Sequence, residues 1–233
     1  MSKWVERAHG FASKWNFAHC TGTMEGKHVQ TLALENSCSM YYNCIVTFNI
    51  VLLAIAYTHS NAIYADVGCQ DIFSDGDDFK YISFSKRTEH NSVCLLSAET
   101  LPGKPLAVSF VFVANYVFAL SVNIMKPYAW HGPGSSLPVR IFNYSLSRAC
   151  RPVENVFEIL SVKFSVFSKP VTLHPSEVQT VVLTCIYLHN FLRRNISSQN
   201  FYSPPGTFDL EDMENHTVFP GSWRSETEDN MVS

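Results

Sequence analysis

An α/β fold is predicted by three features of the chain: strand-like apolar runs rich in Val, Ile and Phe in its first half, polar turn chemistry between them, and a change to helical spacing from about residue 147 onward. Residues 15–29 open with Trp15 and Phe17, pass Gly22, and continue as Thr23-Met24-Glu25-Gly26-Lys27-His28-Val29, a strand whose glycine break lies beside Glu25. Residues 45–57 and 62–68 are two further strands, and Thr58-His59-Ser60-Asn61 between them is the turn of a hairpin. After Gly68, residues 71–78 are too polar for a core and predict a loop, followed by a short helix over 79–87 and a strand over 107–114.

The helical part begins with residues 147–167, where Val153, Val156, Phe157, Leu160 and Phe164 recur at helical spacing. A second helix follows Ser176, which forms a capping-box pair with Gln179, and its predicted buried face is Val181, Cys185, Leu188 and Leu192. Beyond Arg194 the composition turns to Asn, Ser and Gln and reaches Ser203-Pro204-Pro205-Gly206. The expected organisation is a lead-in over residues 1–14, one domain over 15–195, and an acidic, disordered tail over 196–233.

Composition narrows the class. With 233 residues and 46% apolar content the chain can bury a core, which excludes disorder throughout. Seven scattered cysteines, without any C-x-x-C pair, argue against a disulfide framework or a zinc site. The opening MSKWVERAHG has no apolar stretch of the secretory kind, so no secretory leader is expected. The apolar runs at 44–57 and 106–122 fall short of the roughly 18 to 20 residues a spanning helix needs, and buried strands are the expected reading, with no membrane partner. Seven acids against one base lie in residues 207–233, leaving 16 bases against 13 acids before them. Residues 126–194 hold eight bases and three acids, a patch suited to phosphates or an ordinary solvated surface.

Glu25, Asn115 and Glu154 lie on strand ends and a helix that could face one cleft, but geometry alone does not single them out. The blocks around them carry a resemblance. WNFAHCTGTMEGKHV (15–29), IYADVGC (63–69), SDGDDF (74–79), FVANYVFAL (112–120), IFNYSLSRACRPVENVFEIL (141–160) and LTCIYLHNFLRR (183–194) are similar, in order and spacing, to the catalytic domain of animal PIF/Harbinger transposases, which are DDE superfamily endonucleases. The resemblance implies an RNase H-like mixed sheet flanked by helices, in which three carboxylates hold two divalent ions, Mg or Mn, for phosphodiester cleavage of DNA. Two such ions, roughly 4 Å apart, repel each other unless anions bridge and flank them.

By that resemblance Glu25, Asn115 and Glu154 occupy the catalytic and metal positions, but the first two replace aspartates. Glu25 keeps its charge on a longer arm, and a misplacement of about 1 Å can cost about 100-fold in rate. Asn115 loses a charge outright. Cys150 stands where an Arg is frequent, Glu158 where a Gly is typical, and Pro152 lies two residues before Glu154, where it is tolerated in a first turn and otherwise kinks a helix. Asp75 is an auxiliary acid or a solvated helix-capping turn; Lys27, His28, Arg148 and Arg151 are DNA-backbone candidates, with plain surface or structural roles as the alternatives. His189 and Asn190 read as packing or capping groups. The function implied is a transposase-derived nuclease fold impaired in cleavage, acting in the nucleus with a Myb/SANT-like DNA-binding partner, since the helical DNA-binding region of such transposases is not found ahead of the match. The alternative is a non-enzymatic DNA- or protein-binding module.

Overall fold

In the computed structural model the residues described are 2–31, 48–69, 96–101, 103–129, 134–212 and 217–225. The chain opens with helix α1 (Lys3–Trp15), in the segment read from sequence as a lead-in. Its inward residues follow a 4-3-4 spacing: Trp4, Ala8, Phe11 and Trp15. Phe11 is fully buried, and Trp4 meets the Phe112 ring edge-on at 6.0 Å between centroids. Asn16 ends the helix at φ 51°, a left-handed conformation that a short amide side chain tolerates.

Strands β1 (Cys20–Thr31), β2 (Phe48–Tyr57) and β3 (Asn61–Cys69) follow. β2 and β3 pair antiparallel from Tyr57 opposite Asn61, so the predicted turn closes the hairpin, with Ser60 at φ 53°. The strand expected over 107–114 is divided. β5 (Ala107–Val108) pairs with β4 (Glu99–Thr100) in a small separate ribbon, and β6 (Val111–Ala114) enters the main sheet beside β7 (Ile124–Met125). The main sheet is mixed, in the order β3-β2-β1-β6-β7, with β1/β6 and β6/β7 parallel. Helices flank it, which is the arrangement of an RNase H-like fold.

The core on one face of this sheet gathers Met24, Leu53, Ile55, Phe112 and Ile124, all essentially without exposure. On the other face Phe11, Cys20 and Val113 pack with Leu146, Ala149 and Cys150. Gly22 is needed where these strands approach: a Cβ there would lie 3.0 Å from Ile55 Cγ2 and 3.2 Å from the Phe112 ring.

The long helix α2 (Leu137–Lys163) starts ten residues earlier than the periodicity predicts and runs through Pro152, which contributes no N–H to its ladder. Helix α3 (Pro175–Leu192) is capped differently from expectation. His174 is the N-cap, Pro175 occupies the first turn, and Glu177 returns a side-chain bond to the His174 N–H at 3.0 Å. Its buried stripe is Val178, Val182, Cys185, Ile186 and His189, while Leu188 faces outward.

Among residues 196–225, read from sequence as a disordered tail, the described part takes up a short helix α4 (Ile196–Tyr202) and a hairpin of β8 (Leu210–Asp212) with β9 (Thr217–Phe219). Aromatic anchors explain the difference: Tyr202 is buried with its hydroxyl 3.1 Å from His189 Nδ1, and the Arg193 guanidinium lies over the Phe208 ring at 5.2 Å. By contacts the chain divides into two compact units, Met1–Lys27 with Val51–Glu154, and His28–Ile50 with Asn155–Ser233. Among the described residues no helix is long and apolar enough to cross a membrane. The loop at 71–78, the helix at 79–87 and Asp75 lie outside the described residues.

Candidate functional site

The register of the parallel pair β1/β6 places Met24 opposite Ala114, so that Glu25 and Asn115 stand level with each other at the carboxyl end of β6. This is the edge of an open α/β sheet at which ligands are generally bound. Side chains alternate faces along a strand, and Met24 points into the core, so Glu25 turns away from it. From α2, Ser147, Cys150 and Glu154 recur at three and four residues and meet the same edge. Together these residues line one half-open cleft of about 130 Å³ with Tyr116 and Asn143, within the first of the two compact units. The three positions singled out in the sequence, Glu25, Asn115 and Glu154, thus share a cleft although 90 and 39 residues apart in the chain.

Asn115 is held at both ends. Its Oδ1 accepts the Val117 N–H at 3.1 Å, which closes a short Asx turn after β6. Its Nδ2 donates a long hydrogen bond to Glu25 Oε1, at 3.5 Å. A donor therefore faces Glu25 at the point where a bridging ion would need a second anion. The positions supply two carboxylates and one neutral amide, and among the described residues no group of three His, Cys, Asp or Glu is arranged to hold a metal. Such a donor set does not fit a pair of divalent ions, whose mutual repulsion requires anions rather than neutral oxygens.

Cys150, on the cleft wall, is buried. Burial first, and then the charge that Glu154, Cys20 and Glu25 carry when ionised, push its thiol well above the ordinary range. Burial likewise pushes the Cys20 thiol, in β1, up to about 12. Neither is the exposed, low-pKa thiolate that nucleophilic chemistry requires.

The backbone-contact candidates are spread out. Lys27 is half-buried, two residues beyond Glu25, and His28 is exposed. Arg148 is only 7% exposed, with its guanidinium over the Tyr144 ring at 5.8 Å, and Arg151 is half-buried. Asn143 and Tyr116 were not singled out by sequence reasoning. Asn143 anchors the segment after β7, with its Oδ1 accepting from the Tyr128 N–H at 2.9 Å and its Nδ2 donating to the Tyr128 carbonyl at 3.0 Å. The signal available was weak, because an Asn inside a helix carries no periodic pattern.

A cleft bordered by carboxylates at the edge of a mixed 3-2-1-6-7 sheet, with a helix supplying the third position, defines the class of RNase H-like, nuclease-fold proteins. The family model described as DDE superfamily endonuclease matches residues 24–190, and the chain belongs to that family. The match covers Glu25, Asn115 and Glu154 and supports a transposase-derived, nuclease-like domain. No curated protein and no solved structure matches the chain.

Proposed function

We propose that this chain is a Harbinger-type transposase derivative that keeps the nuclease fold as a DNA-binding module and has lost metal-dependent cleavage. The observation that carries the reading is the Asn115 Nδ2 contact to Glu25 Oε1, which puts a hydrogen-bond donor where the ancestral reaction needs negative charge. Glu25, Asn115 and Glu154 are the catalytic and metal positions of the ancestor. The basic side chains Lys27, His28 and Arg151 serve the DNA backbone, whereas Arg148, 7% exposed beside the Tyr144 ring, is held inside the fold. The protein acts in the nucleus beside a Myb/SANT-like partner that supplies sequence recognition.

Calorimetric titration with Mg²⁺ and Mn²⁺ tests the proposal. The chain is expected to bind either ion weakly and to leave plasmid DNA intact. Asn115→Asp restores charge but leaves the longer Glu25 arm in place. Glu25→Asp restores reach but leaves the ions under-neutralised, so only the double variant is expected to bind tightly. Stoichiometric binding of two ions by the unaltered chain, abolished by Glu154→Ala, would overturn the reading.

A further inference from the structure

The edge of the sheet that carries the carboxylates also carries two aromatic rings. Val113 of β6 pairs in parallel register with Met125 of β7, so Tyr116 and Tyr128 each stand three residues beyond a matched pair. Neighbouring strands lie about 4.8 Å apart, which starts the two segments side by side. Both tyrosines are exposed, at 76% and 60%, although an aromatic side chain ordinarily gains by burial. Contacts fix the backbone of both and the ring of Tyr128. The Asn143 clamp fixes the Tyr128 backbone, and the Tyr128 ring meets Phe142 nearly at right angles with centroids 5.3 Å apart. Lys126 Nζ donates to the Tyr116 carbonyl at 3.3 Å, bringing a cation beside the first tyrosine from the segment that carries the second.

The segment that carries them has charge of one sign, although the cleft beside Tyr116 also holds Glu25 and Glu154. From residue 101 to residue 153 the sequence contains no Asp or Glu, while it contains Lys104, Lys126, Arg140, Arg148 and Arg151. An acid-free, basic stretch with exposed rings complements a polyanion whose other half is a flat π surface.

We infer that Tyr116 and Tyr128 form a stacking platform for unpaired DNA bases at the mouth of the cleft, with Lys126 and Arg140 taking the adjoining phosphates. The inference rests on the DNA-binding reading above and names its substrate class. Glu25 and Glu154 repel phosphates, so the backbone runs along the basic side and the bases turn toward the rings. A duplex hides its base faces and offers only phosphates, so strand ends, flaps or locally opened DNA are the preferred forms.

Fluorescence anisotropy on the full chain tests this with an oligothymidylate and a duplex of equal length, and a 2-aminopurine base in the single strand reports stacking by quenching. The single strand is expected to bind more tightly than the duplex, with quenching. Tyr116→Ala with Tyr128→Ala should lower the ratio of single-strand to duplex affinity by about tenfold or more, and Tyr116→Phe with Tyr128→Phe should retain it. Thermal melts establish that each variant is folded. Duplex binding with no preference for the single strand, or a ratio unmoved by the alanine pair, overturns the platform and leaves the DNA-binding reading standing. Binding of neither oligonucleotide overturns both. Self-association seen by sedimentation and lost in the alanine pair, without DNA binding, assigns the rings to a protein interface instead.

Discussion

Val111, Phe112, Val113 and Ala114 are all buried, whereas Asn115, the next residue, stands half-exposed over the cleft. Different physics governs the two sides of that peptide bond. Within β6 every substitution is felt as lost packing, because neighbours on both faces of the sheet fill the space. At Asn115 the fold asks mainly for an oxygen that accepts from Val117, while the metal role proposed for the position would ask for a charge. The interior can therefore be kept intact while the rim is altered, and loss of cleavage need not cost stability.

The sharpest way to break this contrast is Phe112→Ala, expected to cost about 3 to 5 kcal/mol in urea unfolding. A loss under about 1 kcal/mol, the size of an ordinary point substitution, would mean that β6 is not the centre of the core.

Alkaline pH sharpens the contrast from within the core. The Cys20 thiol is raised by burial from 9.0 to about 12, so the unfolded chain releases its proton first. The stability it contributes is complete below pH 9 and declines as pH rises from there toward 12, by at most about 1.4 kcal/mol per pH unit. Thermal melts between pH 8 and 11 are expected to fall less steeply for Cys20→Ala.

At the rim, Asn115→Asp places two carboxylates face to face. It is expected to lower stability by about 1 kcal/mol at neutral pH. One carboxyl of the pair has its folded pKa raised above the ordinary value of about 4, so the penalty is absent in more acidic solution and grows as pH rises through that range. Melts at acid and neutral pH would show it, and at neutral pH added Mg²⁺ should oppose it in the Glu25→Asp background. The smallest effect is expected for exposed Glu154→Gln, within about 0.5 kcal/mol in urea unfolding. A larger loss would show that the rim does carry the fold.

Local chemistry made much of the architecture legible. The turn 58–61 announces the β2/β3 hairpin, and the stripe through Val153, Val156, Phe157 and Leu160 announces α2. What escaped depends on partners distant in sequence. The first part of α2 shows outward Ile141 and Tyr144, which spoil its periodicity. The N-terminal helix does carry a pattern in Trp4, Ala8, Phe11 and Trp15, but its intervening residues are so polar that the segment reads as a lead-in. On α3, Pro175 and Glu177 mark the true start at His174, and the buried stripe runs through Val178 and Val182 rather than Val181, because apolar residues at 181, 182, 183, 185, 186 and 188 leave more than one face open to the reading. Convergence of Glu25 with Asn115 follows from parallel register, which no local pattern displays; the block resemblance, rather than periodicity, drew attention to the three positions.

The Asx turn at Asn115 has a further consequence. The oxygen it offers the Val117 N–H is supplied equally by Asn and by Asp, and only the donor toward Glu25 is lost in the exchange. Selection for a folded, persistent protein sees that exchange only through the roughly 1 kcal/mol that facing carboxylates cost, whereas selection for strand cutting sees the charge itself. A lineage released from cutting DNA can cross between the two residues in either direction without passing through a misfolded ancestor, so the silencing of such a site is easily acquired and, at this position, easily undone.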